Sequence, residues 1–308
     1  MDNLTKIDKD LLSEIADLHE TPIGAYNIRK NGELVSRSSS ANIEIIAKSD
    51  KQGIDIKIKP ETKNESVHIP VIVTEAGFKD LVYNDFYIGK NAEVTIVAGC
   101  GIACGSDKNE GHDGIHSFYL EEGAKVTYIE KHYGTGSGTG ERTLNPITNV
   151  DMKKNSYMKM ETVQIGGVTN SIRETNAKLD DGAKLEINEK LMTDGKDKVE
   201  TYFNVDLNGK DSSTHVVSRA VAKGESYQVY QSVINGNNKC YGHTECDAII
   251  MDKANIIAKP ELTAKSTEAS LIHEAAIGKI AGEQIIKLQT LGLSEQEAEA
   301  EIIKGFLK

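Results

Sequence analysis

The 308-residue chain has no tryptophan, only four cysteines and five prolines, and no hydrophobic run that approaches a membrane span. Each shortage excludes something. Without about 20 consecutive apolar residues there is no transmembrane helix. Four cysteines are too few for a disulfide scaffold at this length, so Cys100, Cys104, Cys240 and Cys246 call for chemistry or burial. Lys and Arg number 36 against 47 Asp and Glu, a net charge of −11, with no basic block. Phosphate neutralisation needs clustered cations, so nucleic acid is not an expected partner. Residues 1–20 lack the pattern of a signal peptide, and the expected location is cytoplasmic, away from any membrane. Gly-Lys-Ser/Thr occurs nowhere, and the run Gly134-Thr135-Gly136-Ser137-Gly138-Thr139-Gly140 has neither phosphate-loop nor dinucleotide spacing. It reads as a flexible loop, and no nucleotide is expected on this chain.

What is present points to strands. Proline removes a ladder hydrogen bond, so its scarcity suits a strand-dominated protein, and the 27 glycines are spread as turn residues. Residues 11–18 carry Leu11, Leu12, Ile15, Ala16 and Leu18 near one helical face, and residues 26–35 form a hairpin turning at Asn31-Gly32. From residue 41 onward short alternating runs follow one another, such as Ile54-Asp55-Ile56-Lys57-Ile58 and Phe203-Asn204-Val205-Asp206-Leu207. A phrase of turn residue, small residue, charge and aliphatic recurs at Asn91-Ala92-Glu93-Val94, Gly123-Ala124-Lys125-Val126 and Gly182-Ala183-Lys184-Leu185, and Asn155-Ser156-Tyr157-Met158 follows it loosely. This loose repeat favours a β-solenoid over a β-sandwich. After residue 277 the period becomes helical, with Ser294 and Glu297 forming a capping box before a final helix. The expected division is an N-terminal segment (1–40), a β-helix core (41–276) and a C-terminal helical hairpin (277–308).

Three groups of residues offer chemistry. Cys100, Cys104, His112 and His116 lie within a short stretch and bring together thiolates and imidazoles that suit zinc, although their spacing matches no common zinc module. Cys246 sits between Glu245 and Asp247, which by themselves raise a thiol pKa. His273 and Glu274 adjoin where the strands end, about one loose repeat after Cys246, so stacking of coils can bring Cys246 and His273 together.

The C-terminal third carries a series of blocks: Glu245-Cys246-Asp247-Ala248-Ile249-Ile250, Ala258-Lys259-Pro260-Glu261-Leu262, His273-Glu274-Ala275, Gly278-Lys279-Ile280-Ala281-Gly282-Glu283-Gln284, Leu291-Gly292-Leu293-Ser294-Glu295 and Ile302-Ile303-Lys304-Gly305-Phe306. In this order they resemble the SufB/SufD family of iron–sulfur cluster assembly scaffolds. The resemblance implies a right-handed parallel β-helix core followed by a helical C-terminal region. It implies a non-enzymatic scaffold that works with a SufC-type ABC ATPase, receives sulfur from a cysteine desulfurase system and builds a transient iron–sulfur cluster. The family's sulfur-accepting or cluster-holding Cys falls on Cys246, its His on His273 and the neighbouring Glu on Glu274. A second family Glu, just before that His, is replaced here by Ile272. The chain is expected to be a compact member, pairing as a homodimer or with a second scaffold chain, with Cys246 and His273 meeting across the pair. The residues leave two other readings open: a zinc-binding or interaction β-solenoid using Cys100, Cys104, His112 and His116, and a β-helix carbohydrate-active enzyme. The latter is weakened by an aromatic content of 5% without tryptophan.

Overall fold

Along most strands buried residues alternate with half-buried ones, and left-handed turn residues separate the strands, so the chain winds forward instead of folding back. The computed structural model describes residues 4–308. A helix, α1 (Lys6–Ala16), precedes two antiparallel hairpins, β1 (Ala25–Lys30) with β2 (Glu33–Ser38) and β3 (Ile43–Ala47) with β4 (Gly53–Ile58). Winding continues through β5 (Lys63–Val73), β6 (Lys79–Ile88), β7 (Glu93–Ala103), β8 (Glu110–Leu120) and β9 (Lys125–Thr135). The middle holds β10 (Arg142–Leu144), β11 (Ile147–Met152), β12 (Tyr157–Ile165), β13 (Asn170–Leu179) and β14 (Lys184–Thr193). The last coils are β15 (Lys198–Leu207), β16 (Ser212–Ala222), β17 (Tyr227–Gly236), β18 (Cys240–Ile250), β19 (Asn255–Ala264) and β20 (Ala269–Gly278), before α2 (Gly282–Gln289) and α3 (Glu295–Phe306).

Successive strands alternate between two sheets. One runs β2-β1-β5-β7-β9-β12-β14-β16-β18-β20, the other β19-β17-β15-β13-β10-β8-β6-β4-β3, with β11 also bridging β13 and β8. From the β4–β6 pairing onward every rung is parallel, which excludes an antiparallel sandwich and makes a β-solenoid of about eight turns. Stacked residues are 29 or 30 apart in the first coils, 32 apart in the next and 27 to 29 apart later.

The recurring phrase is the corner of the coil. Asn91, Gly123, Asn155 and Gly182 all take left-handed backbone, and each amide donates to a carbonyl one coil on. The residues that follow, Ala92, Ala124, Ser156 and Ala183, are buried. Glycine is favoured at 123, where φ is +70° and a Cβ would lie 2.3 Å from Asn91 Oδ1 of the coil below. The run 134–140 is less loose than its composition suggests. Gly138 and Gly140 donate to the Cys104 and Ser106 carbonyls, so it stacks on the preceding loop, and its glycines permit that close backbone approach.

The ends differ. Residues 25–38, part of the expected N-terminal segment, begin one sheet, because β1 pairs in parallel with β5. Thr5 and Asp8 complete a capping box on α1, whose Leu11, Leu12 and Ile15 cover the outer face of the first sheet with Ile28 and Ile72. Gly99 and Gly101 of β7 let α1 sit this close. At the other end, Ser294 and Glu297 cap α3, and Leu307, Ile303 and Phe306 pack on Val221 and Ile249. Helix α2 has no buried residue and leaves Ile286 exposed, as is Leu291 just beyond its end. Among the described residues no helix is long and apolar enough to cross a membrane.

Candidate functional site at the last coil

The alternation of β18 decides what its residues can do. Cys240, Gly242, Thr244, Cys246 and Ala248 point into the lumen, while Tyr241, His243, Glu245 and Asp247 lie on the outer face. Register places Cys246 between Ser218 of β16 and Ala275 of β20. The same lumenal row runs back through Glu189 of β14 and Thr162 of β12 to Glu130 of β9. Cys246 therefore ends a buried polar row.

That row is well satisfied at its older end. Arg173 of β13 reaches Glu130 (3.4 Å) and Glu189 (3.6 Å). Glu189 also accepts from Ser218 (2.7 Å) and Thr201 (3.1 Å). Burial opposes ionisation of Glu130, but the adjacent His132 and Arg173 hold its carboxyl well below the usual range. Cys246 has no such help. Burial first, then the charges of Glu189 and Asp247, push its thiol up to about 12. In the single chain it is a protonated thiol. Beside it Tyr230 and Thr244 share a 2.5 Å hydrogen bond, and Thr244 donates to Ser232 at 3.2 Å.

His273 lies opposite Thr244, on the lumenal face of β20 and two residues from Ala275, the register partner of Cys246. Cys246 and His273 thus share a face on adjacent coils, on a diagonal. Burial lowers the His273 pKa, so the ring is neutral at pH 7, and its Nδ1 has no hydrogen-bond partner. Glu274 is on the opposite face, in register with Glu245 and 67% exposed. The three residues named by the sequence therefore divide between two faces of the sheet.

The last coil is uncovered. Leu262 of β19 follows the fully buried Ile234 in register yet is 37% exposed, and Ile277 of β20 follows the buried Ala248 yet is 39% exposed. No further coil closes over them.

Cys100, Cys104, His112 and His116 are all buried but are not gathered into one centre. Cys100 faces the lumen in a small cavity with His112, His116, Glu130 and His132. Burial and surrounding carboxylates raise the Cys100 pKa, and burial drops His116 to about 4. His116 is held between Tyr128 Oη (2.7 Å) and Asn84 Nδ2 (3.3 Å). Cys104 lies beyond the end of β7, where its thiol donates to the Ser106 and Lys108 carbonyls. Among the described residues, the metal-type cluster that does form is His215, His243 and Glu245 on the outer face. Sequence reasoning passed over it, although His215 and His243 are 28 residues apart, close to the 27 that separate Cys246 from His273.

Residues 82–306 match the family model described as SUF system FeS cluster assembly, SufBD core domain. An iron–sulfur cluster assembly SufBD family protein of Methanothermobacter thermautotrophicus (strain Winter) is 31% identical over 229 residues, covering 73% of this chain and 54% of the relative. One from strain Delta H is 28% identical over 266 residues, covering 85% of this chain and 63% of the relative. A third, from Pyrococcus horikoshii, is 26% identical over 281 residues, 89% of this chain and 84% of that protein. The chain thus spans between half and two thirds of the length of the first two. With a family match over most of its length and a solenoid of the expected architecture, the chain belongs to the SufBD family of iron–sulfur cluster assembly proteins.

Proposed function

We propose that this chain is a non-enzymatic scaffold on which a nascent iron–sulfur cluster is built, with Cys246 as the sulfur-accepting and cluster-holding residue. The observation that carries the reading is the position of Cys246: a thiol that ends a buried polar row one coil from an uncovered solenoid end. In the transfer step Cys246 Sγ, as thiolate, bonds to the outer sulfur of a donor persulfide, and the donor thiolate leaves. A pKa of about 12 makes that step slow in the lone chain, so the site needs completion. A second copy docking on the open end would bury Leu262 and Ile277 and bring its own His273 to Cys246. Transferred sulfide and iron are the cargo. The thiolate and imidazole hold them incompletely, which suits release.

The exposed Ile286 and Leu291 of the C-terminal hairpin supply apolar anchors for the SufC-type ATPase expected of the family. Because α3 also covers Val221 and Ile249, point changes test this better than truncation. Ile286→Asp with Leu291→Asp should abolish co-purification with the ATPase while the thermal melt is kept; undiminished binding refutes the assignment. For the scaffold role, anaerobic reconstitution with iron and sulfide should give visible charge-transfer absorbance in the wild type and in Cys240→Ser. It should give none in Cys246→Ser. A normal cluster in Cys246→Ser would overturn the proposal.

A further inference from the structure

We propose that His215, His243 and Glu245 form a mononuclear site for a divalent first-row transition ion, Fe(II) included, on the outer face of the sheet that holds Cys246. Parallel register creates it. His215 of β16 is the partner of His243 in β18, and the two imidazoles stack with centroids 4.9 Å apart and planes 12° from parallel. Glu245 lies two residues beyond His243 on the same face, so its carboxylate reaches back over both rings. One oxygen, Oε1, is 2.8 Å from His215 Nε2 and 3.6 Å from His243 Nδ1.

These separations suit coordination. Ligand atoms about 2.1 Å from one ion, at angles between octahedral and tetrahedral, lie about 3.0 to 3.4 Å apart. The three donors bracket that range and lie within 4.8 Å of one another without rearrangement of the strands. In the metal-free chain His215 Nε2 and Glu245 Oε1 share this short contact, and an ion entering there replaces it.

A second observation also points to a ligand. His243 is largely covered, with 17% of its side chain exposed, and its Nε2 has no hydrogen-bond partner. A carboxylate oxygen, Glu274 Oε2, is 3.6 Å away. Ligation through Nδ1 places the remaining proton on Nε2, facing that carboxylate, which is the usual way a ligating histidine is oriented. Two imidazoles and one carboxylate with open positions are a donor set that Fe(II) and its neighbours favour over Mg(II) or Ca(II). The side chains of His215 and Glu245 are 45% and 27% exposed, so an ion has a path from solvent and room for water.

The site is separate from the thiol. Glu245 and Cys246 are consecutive, hence on opposite faces of β18, and the sheet stands between them. The inference therefore does not depend on the role proposed for Cys246.

The test is anaerobic titration of the apo-protein with Co(II), followed by its d–d absorbance, and with Fe(II) in competition with a chromophoric chelator. The expected result is one tight equivalent, with affinity falling at least tenfold in His243→Gln and in Glu245→Gln and unchanged in Cys246→Ser. Thermal melts of both outer-face variants should match the wild type. Absence of a tight equivalent in the wild type overturns the inference, as does unchanged affinity in both outer-face variants. Loss of binding in Cys246→Ser overturns it as well, because the ion would then sit at the thiol.

Discussion

The coils around Arg173 and the coil around Cys246 share one lumen and one row of side chains, yet they end in opposite states. Around Arg173, two buried carboxylates face a guanidinium and a set of hydroxyls, and both carboxylates are paired, although Thr162 Oγ1 between them has no partner. Around Cys246 the row continues with Ser218 and the thiol, then reaches Ala275 and an end with no further coil. The carboxylate of Glu189 that Arg173 balances on one side still raises the thiol pKa on the other. The lesson is that buried charges in the middle of the solenoid find their partners within the chain, whereas the thiol proposed as the reactive group lies near an end that leaves room for a partner from outside.

The largest expected effect comes from breaking the complete region. Arg173→Met leaves Glu130 and Glu189 buried without their cation and should cost about 3 to 5 kcal/mol in urea unfolding. A loss below about 1 kcal/mol would mean the row is not the balanced network its geometry indicates.

A smaller effect concerns pH. His116 is buried and neutral, with a folded pKa of about 4 against an ordinary value of 6.5. The folded state therefore binds fewer protons than the unfolded chain between these values. Stability is full above pH 6.5 and declines as the pH falls toward 4, by about 3 kcal/mol from this group alone. His132, whose pKa burial also lowers, acts in the same direction. Urea midpoints that stay flat from pH 7 to 4.5 would contradict this.

The smallest effect on stability is expected at the incomplete end. Leu262→Asp or Ile277→Asp replaces an apolar residue already more than a third exposed, so monomer stability should change by about 0.5 kcal/mol or less. Self-association, followed by sedimentation, should weaken markedly. A large loss of stability with unchanged association would reverse the contrast drawn between the two regions.

Much of the fold is legible in the sequence because the corner residues are repeated. Asn91, Gly123 and Gly182 need left-handed backbone, and the small buried residue after each marks the start of a strand. The hairpin at Asn31-Gly32 and the capping box at Ser294 and Glu297 are equally local, and both are present. The parallel pairing of β1 with β5 is not local, because nothing in residues 25–30 encodes which distant strand they will join. The site is half legible for the same reason. Coil spacing brings Cys246 and His273 to one face, but strict alternation sends Glu274 to the other, where it meets His243. Of Cys100, Cys104, His112 and His116, three line one small cavity because β7 and β8 face each other across the lumen, whereas Cys104 falls in a turn where backbone carbonyls accept from its thiol.

The central claim is that Cys246 is completed by His273 of a second copy, and mixed dimers test it most directly. A Cys246→Ser chain is co-expressed with a differently tagged His273→Ala chain, and the heterodimer is isolated and reconstituted anaerobically with iron and sulfide. If each site takes its thiol from one chain and its imidazole from the other, the mixed dimer keeps one intact site. It should then develop about half the wild-type charge-transfer absorbance, while both parent homodimers develop none. If thiol and imidazole act within a single chain, no intact site exists in the mixed dimer, and absence of the cluster there would contradict the account.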